Sequence, residues 1–170
     1  MLTKQLNLVI HKIVNKSHDR GVVGEAVGSM LNRIRKSRNE QSKWHLRTRN
    51  GGLVHLDLLI QAMRLENGNL FNDTGQSPLD ILDRLVAVEK INSPDFTELR
   101  AATSLFDEIH QCIRLTFGEA THVPDSLPAT LRTFILSRMD IADETQLALL
   151  LKTSLDQVHK QLLTYSRIEK

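Results

Sequence analysis

At 170 residues, with 41% hydrophobic but only 4% aromatic residues, the chain can bury one core and favours Leu-rich helices over a sandwich or barrel. A single cysteine, Cys112, excludes an intrachain disulfide framework or a multi-cysteine zinc site and points to a reducing cytoplasm. The net charge of +2 conceals a segregation: residues 1–50 hold 11 Lys and Arg against 3 Asp and Glu, residues 51–124 hold 5 against 11, and residues 125–170 hold 6 against 6.

Leu2, Leu6, Ile10, Ile13 and Val14 predict an opening helix from about Thr3 to Lys16. Ser17 or Asp19 can start a second, in which Gly24 and Gly28 stand four apart among Val22, Val23, Val27, Leu31 and Ile34. That pair reads as a packing notch, because small residues at this spacing let helices approach closely and match no phosphate-binding fingerprint. Arg33, Arg35, Lys36, Arg38, Lys43, Arg47 and Arg49 follow, with Glu40 the only acid among them. So many cations so close together repel one another unless they are solvated or neutralised, and phosphates neutralise them well. Trp44, in their midst, is either a base-stacking platform or an anchor into the core.

Asn50, Gly51 and Gly52 make a turn. Leu53, Leu56, Leu59, Ile60 and Met63 then form an apolar helix ending near Asn67 and Gly68. Ser77 with Pro78, and Ser93 with Pro94, are cap-and-proline starts for two more helices, the second running to about Phe117. This middle portion is acidic outside and apolar inside, as in a helical bundle or dimerisation module. Pro124 and Pro128 mark a linker from Gly118 to Pro128, after which Leu131, Phe134, Ile135 and Met139 form another helix.

The last stretch carries two capping boxes: Asp143 with Gln146, and Ser154 with Gln157. Leu147, Ala148 and Leu151 lie before a break at Lys152 and Thr153, and Leu155, Val158, Leu162 and Tyr165 lie after it. The spans Leu131 to Met139, Glu144 to Leu151 and Ser154 to Arg167 resemble the three-helix core of helix-turn-helix and winged-helix DNA-binding regulators. Ala148 stands where that motif takes a small residue, and Val158, ten residues on, where it takes an aliphatic plug. The resemblance implies a recognition helix from Ser154, with Asp156, Gln157, Lys160 and Thr164 toward base edges. Ser154, Thr145, Lys152 and Arg167 would hold phosphates together with Arg33, Arg35, Lys36, Arg38, Lys43, Arg47 and Arg49.

No catalytic signature is present. The seven histidines form no HExxH pair, Cys112 reads as a small core residue, and no GxSxG, phosphate loop or dinucleotide fingerprint occurs. No run approaches the roughly 18 apolar residues of a membrane span, and no signal peptide is recognisable, so a cytoplasmic chain with no membrane partner is expected. The expectation is therefore an all-α bundle of about eight helices, with residues 1–120 a bundle or dimerisation region and 125–170 a helix-turn-helix-like unit. Functionally this describes a non-enzymatic, sequence-specific DNA-binding regulator or accessory protein, acting as a homodimer without metal or cofactor. The alternatives are a helical protein-interaction or adaptor module that docks a protein partner without touching DNA, and an RNA-binding protein using residues 33–49.

Overall fold

A computed structural model describes residues 15–37, 42, 44–71, 75–118 and 124–166. Their secondary structure is helical: α1 (Arg20–Ser37), α2 (Leu53–Glu66), a 3-10 turn (Gly68–Leu70), α3 (Pro78–Ala87), α4 (Ser93–Phe117), α5 (Ala129–Arg138) and α6 (Glu144–Ser166). The all-α expectation holds, with six α-helices among the described residues in place of about eight. Residues 1–14, which carry most of the expected opening helix, lie outside the described set.

Two helices hold the others together. α2 packs against α1, α3, α4 and α6, while α6 packs against α1, α2, α4 and α5. The core between them is apolar, with Leu56, Leu59 and Ile60 of α2, Leu99, Phe106 and Ile109 of α4, and Leu147, Val158 and Leu162 of α6 all buried. Each such side chain contributes about 1.5–3 kcal/mol when taken fully out of water.

The helix starts follow local chemistry. Ser77 and Asp80 form a reciprocal capping box at α3, with Pro78 at the first helical position. At α4 the cap moves one residue upstream of the expected Ser93: Asn92 Oδ1 accepts the Asp95 amide at 2.8 Å. Asp19 accepts the amides of Gly21 and Val22 at the head of α1. Asn67 closes α2, its amide and side chain both donating to the Met63 carbonyl. The Gly24 notch is real: a Cβ there would stand 3.3 Å from the Tyr165 carbonyl oxygen, so α1 comes close to α6 at this point.

The largest departure is at the end of the chain, where the break at Lys152 and Thr153 does not exist. Glu144–Ser166 is one helix of 23 residues. Its buried stripe, Leu147, Leu151, Leu155, Val158, Leu162 and Tyr165, advances in steps of three and four without interruption, so a single helix buries all of it. Thr and Ser inside a helix cost only a few tenths of a kcal/mol each relative to Ala, less than the hydrogen bonds a break would forfeit. Of the two expected capping boxes only the first forms in part: Asp143 Oδ1 accepts the Gln146 amide, while Gln146 Oε1 reaches back to the Ala142 amide, one residue before the cap. Ser154 is buried in the helix interior. Ala148, expected at a helix crossing, is exposed.

Candidate functional site

The turn between Trp44 and Gly52 is held at both ends by close packing and hydrogen bonds. Trp44 is buried, and its indole Nε1 donates to the Asp125 carbonyl at 3.0 Å, so it anchors the turn to the segment before α5 instead of standing free as a stacking platform. Ser42 reinforces this through the Pro124 carbonyl. At the other end of the turn, Gly51 has φ of +75° and lies against α6: a Cβ would stand 1.8 Å from the Leu155 carbonyl oxygen. A Cβ on Gly52 would stand 2.0 Å from the Leu46 carbonyl oxygen. Only glycine fits either position. The Gly51 amide donates to Nδ1 of His55 at 2.8 Å, and the buried His55 ring stacks on His159 of α6 with centroids 5.7 Å apart.

Between this turn and α6 lies a pocket of about 410 Å³. Trp44, Ala148, Leu151 and Leu155 supply its apolar wall, with Arg49 and Asn50 on the turn side. Lys152 and Asp156, one helical turn apart, border it from α6 together with Glu144. Glu144 is ion-paired with Arg132 of α5 at 3.0 Å. The pocket thus offers Arg49 and Lys152 to an anionic group and Asp156 to a hydrogen-bond donor.

The opposite side of the turn meets α4 in a second polar cluster. Burial holds His110 below the usual imidazole range, helped by the Arg114 and Arg47 cations and opposed by Asp107. Asp57 of α2 is pushed up by desolvation and then by the negative charge of Asp107. Asp107 is itself raised by desolvation, with His110 pulling the other way. Among the described residues no group of three or more His, Cys, Asp or Glu is placed to hold a metal ion, and no helix is long and apolar enough to cross a membrane.

The residues expected to bind nucleic acid are dispersed. Arg49, Lys152 and Asp156 meet at the pocket, while Arg47 faces the α4 cluster. Arg33, Arg35 and Lys36 are exposed at the end of α1, and Arg33 borders a different groove. Thr145, Lys160 and Thr164 are exposed on α6, and Thr164 Oγ1 donates back to the Lys160 carbonyl. Gln157 is half-buried, and Ser154 lies in the core. Arg38, Lys43 and Arg167 lie outside the described residues. Sequence reading passed over the close approach of the glycine pair to Leu155 and the His55–His159 stack. The doubled glycine was the available signal for the first; nothing local marks the second, whose partners are 104 positions apart.

No family model matches the chain, and no solved structure matches it. It does resemble a set of curated proteins, each a bifunctional glutamine synthetase adenylyltransferase/adenylyl-removing enzyme. That of Bartonella quintana is 26% identical over 156 residues, which is 90% of this chain and 16% of the relative. That of Bartonella henselae is 25% identical over 165 residues, 95% of this chain and 17% of the relative. That of Rhodopseudomonas palustris is 24% identical over 144 residues, 84% and 14% respectively. The chain spans about one-sixth of the length of these relatives.

These findings overturn the helix-turn-helix resemblance and the DNA-binding regulator it implied, because the relatives are named for adenylyl chemistry and the motif's turn is continuous helix. They lend no support to the adaptor or RNA-binding alternatives. The expectation of a non-enzymatic chain also stands against relatives that are enzymes.

Proposed function

We propose that this chain is a helical unit of the glutamine synthetase adenylyltransferase kind, working in the attachment or removal of an adenylyl group on a protein substrate. The observation that carries the reading is the match along nearly the whole chain to enzymes all bearing that description. The pocket between the glycine turn and α6 is the part of this unit suited to such a role. An adenylyl group presents a phosphate and a flat polar base, and Arg49 with Lys152 can hold the phosphate while Asp156 accepts from a base or ribose donor.

In this reading the unit binds and orients, and the transfer chemistry belongs to other elements. Carboxylates of the helix surfaces serve the fold: Asp83 pairs with Arg100, Glu108 with Arg138 and Glu66 with Arg20. Trp44, the chain's single tryptophan, forms part of the pocket wall and reports on its contents. Titration with AMP and with ATP is expected to change Trp44 emission saturably, and Arg49→Ala with Lys152→Ala to weaken the response at least tenfold. Immobilised glutamine synthetase, adenylylated or not, is expected to retain the chain. No emission change with either nucleotide, together with no retention by either form of glutamine synthetase, overturns the reading.

A further inference from the structure

Among the described residues nothing covers an apolar stripe on α1. Val22 is 64% exposed and Met30 44% exposed, and Ala26 stands between them, also exposed, four residues from each. At that spacing the three side chains lie above one another on one helix face. Beside the stripe runs a groove of about 410 Å³ between α1 and α2, floored by Val23, Val27, Leu58, Ala62 and Leu65. The face is an apolar knob next to an apolar hole.

We infer that this face binds a second copy of the chain, the two α1 helices crossing antiparallel about a two-fold axis at Ala26. Position 22 of one protomer then meets position 30 of its partner on both sides of the axis, setting Val22 against Met30 twice, and the small Ala26 residues meet where the helices are closest. The same operator sets position 19 against position 33. Those residues are Asp19 and Arg33, both exposed and of opposite charge, so each end of the contact closes with an ion pair. Asp19 keeps its capping role, since a carboxylate has lone pairs beyond those facing the Gly21 and Val22 amides. Charge and shape agree on one register: a one-residue slip loses both the Val22–Met30 match and the Asp19–Arg33 match.

The inference is independent of the adenylyl-enzyme reading, and its experiment measures mass. Sedimentation equilibrium of the full chain is expected to show a monomer–dimer equilibrium. Val22→Asp and Met30→Asp should each leave a monomer with an unchanged helical circular dichroism spectrum, because both side chains are on the surface. Arg33→Asp should raise the dissociation constant about tenfold by removing two ion pairs and adding repulsion. Ala26→Cys, on the axis, should form a covalent dimer under mild oxidation, whereas Glu25→Cys, off the axis, should not. A chain that is monomeric at every concentration overturns the inference, and so does a dimer that survives both aspartate variants or an Ala26→Cys chain that fails to cross-link.

Discussion

Gly51 touches the main chain of α6 at Leu155, where a Cβ would come within 1.8 Å of the carbonyl oxygen. This contact sets the entrance of α2 on the middle of α6, beside the pocket that Asn50 and Leu155 line. Two separate costs guard it. Alanine at a φ of +75° costs about 1–2 kcal/mol in backbone strain, and the overlap with a backbone atom, which no rotamer can relieve, adds about 1–3 kcal/mol. Gly51→Ala is therefore expected to lower the free energy of unfolding by about 2–5 kcal/mol in a urea titration. Gly118, at φ of 67° and ψ of −146°, also holds a conformation that favours glycine, but a Cβ there would meet nothing within 4 Å, so Gly118→Ala should show backbone strain alone, about 1–3 kcal/mol.

The contrast between these glycines bears on what sequence alone could convey. Helix starts were legible where a cap and a proline are adjacent, as at Ser77 and Pro78, because the chemistry that ends a helix is local. The apolar stripes were legible for the same reason. The candidate site was not, because its parts meet across the fold: Arg49 reaches Lys152 and Asp156 only once α2 has packed on α6. The error at Lys152 and Thr153 has a related cause. A Ser with a Gln three residues on is necessary for a capping box but not sufficient, and the continuous burial of Leu151, Ser154 and Leu155 outweighs it.

Tyr165 ties together three helices. Its hydroxyl donates to Glu66 Oε2 at 2.9 Å, Arg20 donates to the same oxygen at 2.8 Å, and the Arg20 guanidinium lies 3.5 Å from the ring centroid. Burial and then the hydrogen bond to Glu66 hold the phenol far above its ordinary range, so it is protonated and donating at neutral pH. Tyr165→Phe keeps the ring and its contact with Arg20 and removes one charge-assisted hydrogen bond, which should cost about 1–2 kcal/mol. Tyr165→Ala also empties the site between α1 and α6 and should cost about 3–5 kcal/mol. Equal losses from the two variants in denaturant titrations would show that the hydroxyl alone matters.

Asp57 and Asp107 are both partly desolvated where α2 packs on α4, and the Asp107 charge raises Asp57 further, while His110 opposes the rise at Asp107. A carboxyl raised in the folded state binds its proton more tightly there than in the unfolded chain. Its contribution is then most favourable below the usual carboxylate range and is lost as pH rises through the folded value. Asp57→Asn removes that penalty, so thermal unfolding at pH 7 should shift to higher temperature, with the gain shrinking toward zero near pH 3. His110 has the opposite sense: held below its ordinary range, it makes the fold less stable as pH falls below about 6.5. His110→Gln should flatten the melting profile between pH 5 and 7 while leaving the carboxylate effect in place. Both effects are modest, since these groups remain in reach of solvent.

The continuity of α6 can be tested at Thr153, in the expected turn, and at Ser154, the expected cap. Thr153 lies in the interior of Glu144–Ser166, where proline removes an amide donor and drives its ring into the preceding turn. Thr153→Pro should cost about 3 kcal/mol or more and reduce helical ellipticity. In a helix-turn-helix the same substitution would fall in the connecting turn and be tolerated. Ser154 gives the complementary result. As a helix cap its replacement by alanine would cost about 0.5–2 kcal/mol; as a buried interior residue of a continuous helix, alanine is the better helix former, and Ser154→Ala should leave stability unchanged or slightly raised. A stable Thr153→Pro variant together with a destabilised Ser154→Ala variant would restore the turn that the continuous stripe from Leu147 to Tyr165 denies.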